Sequence, residues 1–194
     1  MTLPNILTVS RIVLAAGFIY SLSRMNAMAT MLAIVLFTLA SLTDFYDGYF
    51  AKKYNMVTDF GKIMDPIADK VLILIAFYFF MDLQLVAAWM FYVILVREVA
   101  VTGSRLWAIT KGKVLAAEQA GKVKTVSQIV AISAILLFIL FQQMEISAYW
   151  PDAVFTGWAL AIYVLMLVTV CLTAISGISY FWMNKDIVLF GKST

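Results

Sequence analysis

Six apolar runs, at 6–22, 27–42, 71–81, 86–101, 126–141 and 153–181, none interrupted by proline, constrain this chain more than any other feature. In lipid every backbone N–H and C=O must find its partner inside the structure, and open sheet edges are not tolerated, so such runs read as helices. One crossing takes about 20 apolar residues, and a chain of 194 residues therefore supplies about six spans, with no room for a separate soluble domain. The expected fold is all-α: one polytopic membrane domain over residues 1–194 with six transmembrane helices. Composition agrees, at 64% hydrophobic and 13% charged, where a soluble domain is about half apolar and about a quarter charged. The third run is only half a span. It reaches full length if its helix begins near Phe60 and takes Asp65 and Asp69 into the first turns. No small-residue cleavage site follows the first run, so that span is expected to remain in the mature protein.

Basic residues give the orientation. With both termini in the cytoplasm, Arg24 is the only basic residue in an outer loop, and the other 13 of the 14 Lys and Arg lie on the inner side or at its boundary. That is the positive-inside pattern in strong form. Trp150 and Pro151 read as an interfacial anchor before the last helix or simply as a turn. Most of the charge is concentrated in two inner segments, 44–70 and 97–124, and function is expected there.

The chain has no histidine, and its one cysteine, Cys171, lies deep in the last apolar run as a packing or lipid-facing residue. Imidazole, thiol and soft-metal sites are thereby excluded. Catalysis has to rest on carboxylates, Lys or Arg, hydroxyls and backbone.

Asp44, Asp47 and Gly48 stand at the end of the second run, and Gly61, Asp65 and Asp69 lead into the third. Spacings of three and four residues put each aspartate pair on one helix face. An aspartate at the centre of a lipid-embedded helix costs about 2.5–3.5 kcal/mol, so four uncompensated ones would cost on the order of 10 kcal/mol. They are expected near the inner interface, facing inward and paired. Lys52, Lys53, Lys62 and Lys70 are near in sequence and could neutralise them one by one. Four carboxylates without His or Cys also match the oxygen-ligand preference of Mg²⁺ or Mn²⁺, and two such ions about 3.5–4 Å apart form a clamp for phosphoryl chemistry. Gly48 and Gly61 then suit a close approach of ligand or facing backbone, having no Cβ.

The pattern DxxDGxxA, a basic residue, eight residues, then GxxxDxxxD, running from Asp44 to Asp69, resembles the signature of the CDP-alcohol phosphatidyltransferases. That resemblance implies a six-helix enzyme that displaces CMP from a CDP-activated lipid with an alcohol. It implies that Asp44, Asp47 and Asp65 are metal ligands, and that Asp69 ligates the second of two Mg²⁺ or Mn²⁺ ions and acts as general base. Gly48, Lys52, Thr58 and Gly61 would lie against the CDP-lipid. Asn5 and Thr8 resemble nucleotide-side residues of the family, and a helix-entry Asn and Thr serve equally as caps. The chain departs from the family at Lys52, where Arg is usual; Lys keeps the charge and loses the planar fork that grips a diphosphate.

The second inner segment bears on the acceptor. Five cations lie from Arg105 to Lys124, namely Arg105, Lys111, Lys113, Lys122 and Lys124. A phosphorylated acceptor would use such a cluster; Lys111 and Lys113 are as well explained by orientation alone. The elements Arg97-Glu98, Gly103-Ser104-Arg105 and Gly121-Lys122-Val-Lys124-Thr125 with Gln128 resemble the branch of the family that makes phosphatidylglycerophosphate from glycerol 3-phosphate. The resemblance implies acceptor-phosphate binding by Arg105, Lys122 and Lys124, although Ser104 replaces the Leu common there. Arg97 and Glu98 read equally as an internal ion pair that lets a helix carry polar residues near the interface.

The branch further implies CDP-diacylglycerol and glycerol 3-phosphate as substrates, a homodimer, the bacterial cytoplasmic membrane with the site facing the cytoplasm, and no nucleic-acid partner. Other acceptors, inositol phosphate, serine or phosphatidylglycerol, remain open within the reaction class. From another class, an ion transporter also buries carboxylates, but near the midplane and between broken helices.

Overall fold

The computed structural model describes the backbone of residues 3–54, 59–111, 119–144 and 149–185, and the side chains of 10–43, 70–108, 110–111, 121–144 and 149–185. These residues form six helices and no strand: α1 (Leu3–Ser23), α2 (Ala27–Tyr54), α3 (Asp59–Asp82), α4 (Ala88–Thr110), α5 (Gln119–Gln143) and α6 (Asp152–Met183). The all-α expectation holds. So does the early start of the third helix, which begins at Asp59 and carries Asp65 and Asp69 as helical residues.

Polar sequence does not interrupt these helices. The apolar part of α2 ends at Thr43, yet the helix runs on to Tyr54 for 28 residues in all, a length of about 42 Å at 1.5 Å per residue. That exceeds a hydrocarbon core of about 30 Å, and the surplus carries Asp44, Asp47, Gly48 and Lys52. The start of α2 is set by Asn26, whose side-chain oxygen accepts from the Ala29 N–H at 2.9 Å, as a helix cap should. Between α3 and α4 the Phe80 carbonyl accepts from the N–H groups of Leu85 (2.9 Å) and Val86 (3.2 Å), closing a turn around the left-handed backbone of Gln84 (φ 60°).

The helices pack as α1 on α2 and α3, α5 on α2, α3 and α6, and α4 on α3 and α6. Aromatic, branched and methionine side chains fill the centre, among them Phe18, Phe37, Phe77, Phe80, Met90, Ile94, Ile132, Ile135 and Met166. Gly17 lets α1 and α2 approach, since a Cβ there would stand 3.3 Å from Leu36 Cδ1.

The outer surface is more apolar than parts of the interior. In α6, Thr169, Thr173, Ser176 and Gly177 are buried, whereas Leu160, Val164, Val168, Ile175 and Ile178 are exposed. Small and hydroxyl-bearing residues between helices, with large apolar ones outside, is the arrangement of helices packed in lipid. The segments Gly121–Gln143 and Asp152–Met183 are long and apolar enough to cross a membrane. Trp150 stacks on Phe141 at 5.8 Å between ring centroids and lies 6.2 Å from Phe155, so it anchors the α5–α6 connection to the bundle itself.

Candidate active site

The four aspartates stand on two unbroken helices, Asp44 and Asp47 in α2 and Asp65 and Asp69 in α3. Helical backbone through both pairs keeps the three- and four-residue spacings on a common face. Their side chains lie outside the described residues, as do those of Asn5 and Thr8 on α1, Gly48 and Lys52 on α2, and Gly61 on α3; Thr58 lies outside them altogether. Among the described residues no group of three or more His, Cys, Asp or Glu is placed to hold a metal. The donor chemistry of the α2 and α3 pairs, four hard oxygen ligands without nitrogen or sulfur, fits Mg²⁺ or Mn²⁺.

What is described lies one helical turn deeper. A cavity of about 130 Å³ is lined by Arg11 from α1, Ala40 and Ser41 from α2, Lys70, Leu72 and Ile73 from α3, and Thr125 from α5. Apart from Lys70, which directly follows Asp69, each of these positions is one turn from a residue singled out in the sequence: Arg11 from Thr8, Ala40 and Ser41 from Asp44, Leu72 and Ile73 from Asp69, and Thr125 from Lys122. Residues three or four apart share a helix face. By register, then, α1, α2, α3 and α5 carry these sequence-derived positions one turn along the helix from residues that line the cavity. Arg11 is only 2% exposed, which puts a permanent cation in the bundle interior next to this space.

Beside it lies a buried charge cluster centred on Glu98, which is 1% exposed. Lys70 Nζ lies 3.3 Å from its Oε2, and Arg97 Nη1 lies 3.2 Å from Oε1. Lys124 pairs with the same Oε1 and also donates to the Gln128 side-chain oxygen at 3.3 Å. A single carboxylate thus gathers cations from α3, α4 and α5. Arg97 also donates to Ser176 Oγ at 2.9 Å, and it reaches α6 because Gly177 leaves room: a Cβ there would be 2.9 Å from Arg97 Cγ. Burying charges is tolerable only when they are paired and hydrogen-bonded, and Glu98 meets that condition from several sides.

The internal Arg97–Glu98 pair anticipated from sequence is present, but it is one arm of a larger assembly. Lys70, read from sequence as a possible partner of the aspartates, belongs to that assembly through Glu98, as does Gln128, which was not singled out by a pairing argument. The available signal was Glu98 itself, the one acidic residue in the 23-residue α4, since an acid in an apolar helix marks a partner nearby. Lys124 is buried on Glu98, whereas Arg105 and Lys122 are exposed. Arg105 lies with its guanidinium carbon 5.8 Å from the centre of the Tyr180 ring. Ser104, the departure from the usual Leu, folds its hydroxyl back onto the Val101 carbonyl at 3.0 Å.

The described residues form an all-helical bundle with an aspartate pair on each of two continuous helices and a cavity lined by the cations Arg11 and Lys70. Residues 1–182 match the CDP-alcohol phosphatidyltransferase family, and the chain belongs to it. It is 39% identical over 196 residues to the CDP-diacylglycerol–glycerol-3-phosphate 3-phosphatidyltransferase of Bacillus subtilis (strain 168), covering 95% of each chain. Proteins of the same name from Rickettsia felis and Salmonella paratyphi A are 41% and 33% identical. The first similarity covers 70% of this chain and 75% of the relative, the second 83% and 92%.

Proposed function

We propose that this chain is a phosphatidyltransferase that passes the phosphatidyl group of CDP-diacylglycerol to sn-glycerol 3-phosphate, giving phosphatidylglycerophosphate and CMP. The observation that carries the reading is the Asp44–Asp69 motif on two continuous helices in a chain resembling, along almost its whole length, relatives named for that reaction.

In this reading Asp44, Asp47, Asp65 and Asp69 hold two divalent ions, Mg²⁺ or Mn²⁺. When bound, these ions supply Lewis-acid stabilisation of charge on the diphosphate and on the departing CMP. Asp69 takes the proton from the primary hydroxyl of the acceptor as its oxygen attacks the lipid-side phosphorus. The new oxygen–phosphorus bond forms while the bond from that phosphorus to CMP breaks. Proton removal is concerted with attack. Asn5, Thr8, Gly48, Lys52, Thr58 and Gly61 line the CDP side. Arg105, Lys122 and Lys124 serve the acceptor phosphate, the first two from exposed positions and Lys124 as buried positive charge behind them.

The proposal extends to placement. The chain forms one domain over residues 1–194, all six helices cross the bacterial cytoplasmic membrane, both termini and the site face the cytoplasm, and the protein is a homodimer. The exposed apolar side chains of α6 and the concentration of cations at 97–124 support this topology.

The test is transfer of labelled acceptor into lipid by the purified protein, with CDP-diacylglycerol and Mg²⁺ or Mn²⁺. Labelled glycerol 3-phosphate should enter the organic phase with equimolar CMP release. Transfer to inositol phosphate, serine or phosphatidylglycerol in its place would reassign the acceptor. CMP release in detergent, without a sealed membrane, separates the enzyme from a transporter.

A further inference from the structure

We propose that Glu98 is a positioning residue that sets the acceptor side of the site against the helix carrying Asp69. The inference rests on the reading of Arg105, Lys122 and Lys124 as the acceptor-phosphate group. Its own basis is the ion-pair cluster, in which Glu98 binds one cation from each of three helices: Lys70 of α3, Arg97 of α4 and Lys124 of α5.

Each arm ties the carboxylate to a different part of the site. Lys70 follows Asp69 directly in α3 and lines the cavity beside the aspartate helices. Lys124 lies two residues beyond Lys122 in α5. Arg105 stands seven residues beyond Glu98 in α4, two turns and about 10 Å along the same face. Arg97 fastens the assembly to α6 through Ser176. One carboxylate therefore spans the bundle between the proposed base and the proposed acceptor cations.

Among the described residues three cations converge on this one anion, beside a cavity also lined by Arg11. Glu98 offsets part of the mutual repulsion and holds the ammonium and guanidinium groups in one geometry. Without its charge, Lys70 and Lys124 separate, and the acceptor loses a preorganised seat, while the residues proposed for the CDP side, from Asn5 to Gly61, keep their places. Misplacement by about 1 Å is enough to cost large factors at such a site.

The experiment measures initial rates for purified Glu98→Asp and Glu98→Gln, with KM for glycerol 3-phosphate and for CDP-diacylglycerol determined separately. Glu98→Asp keeps the charge and withdraws it by one methylene. The expected result is an acceptor KM raised at least threefold in Glu98→Asp and at least tenfold in Glu98→Gln, with the CDP-diacylglycerol KM within twofold of wild type. An unchanged acceptor KM in folded Glu98→Asp would overturn the assignment, as would equal rises for both substrates. Should Glu98→Gln fail to fold, the Asp variant alone decides. Arg105→Ala is measured in parallel. If it leaves the acceptor KM unchanged, the acceptor-site reading fails by itself; if it raises that KM and the Glu98 variants do not, only the role of Glu98 fails.

Discussion

At the scale of single residues, the chemistry reduces to where carboxylates stand and what neutralises them. Asp69 is proposed to combine metal ligation with proton transfer, and Asp69→Asn keeps its size while removing the charge. Turnover should fall by at least 10³-fold with the protein still expressed and folded, as measured by CMP release and a detergent melting curve; general-base action typically contributes 10²–10⁴-fold. Arg105→Ala removes a forked donor suited to phosphate oxygens from an exposed position. Its acceptor KM should rise about tenfold or more, with kcat reduced less, and initial rates against glycerol 3-phosphate concentration check this. The aspartates were legible in the sequence because their spacing and company are local features. Glu98 was legible only as a possible partner of Arg97, because the other cations it binds come from α3 and α5.

At the scale of helices, polar sequence is carried without breaks. α2 and α3 stay helical through residues 44–52 and 59–70, so the proposed site residues there stand on continuous helix. The early start of α3 was readable because the run 71–81 is too short to span alone. The meeting of α4 with α6 was not readable: it depends on Gly177 admitting Arg97, and glycine in an apolar helix has several uses. Gly177→Ala would put a Cβ 2.9 Å from Arg97 Cγ, forcing the guanidinium away from Ser176. The variant should be destabilised by about 1–3 kcal/mol, as for other overpacked sites, and its lower melting temperature in detergent is the measurement.

Across the whole molecule, α3 has a central role. It packs on α1, α4 and α5, and it carries Asp65 and Asp69 at one end and the core residues Phe77 and Phe80 toward the other. The apolar part of the bundle is thereby continuous with the helix proposed to bear the base. If four carboxylates share two dications, chelation should remove activity and leave a bundle whose apolar packing persists. Excess EDTA should lower CMP release to background, and added Mg²⁺ or Mn²⁺ should restore it, with the helical circular dichroism signal little changed throughout. Loss of activity that no divalent ion restores would count against reversible metal dependence.

The sequence by itself determined that the chain is helical and built around apolar runs, that no imidazole and no thiol cluster is available to its chemistry, and which aspartates share a helix face. All of these follow from composition and from periodicities that act over a few residues. Tertiary structure alone decided that Lys70, Arg97 and Lys124 meet on Glu98 and that a cavity opens beside Arg11 and Lys70. Such meetings depend on which helices become neighbours, and many side chains across the bundle choose that jointly through close packing.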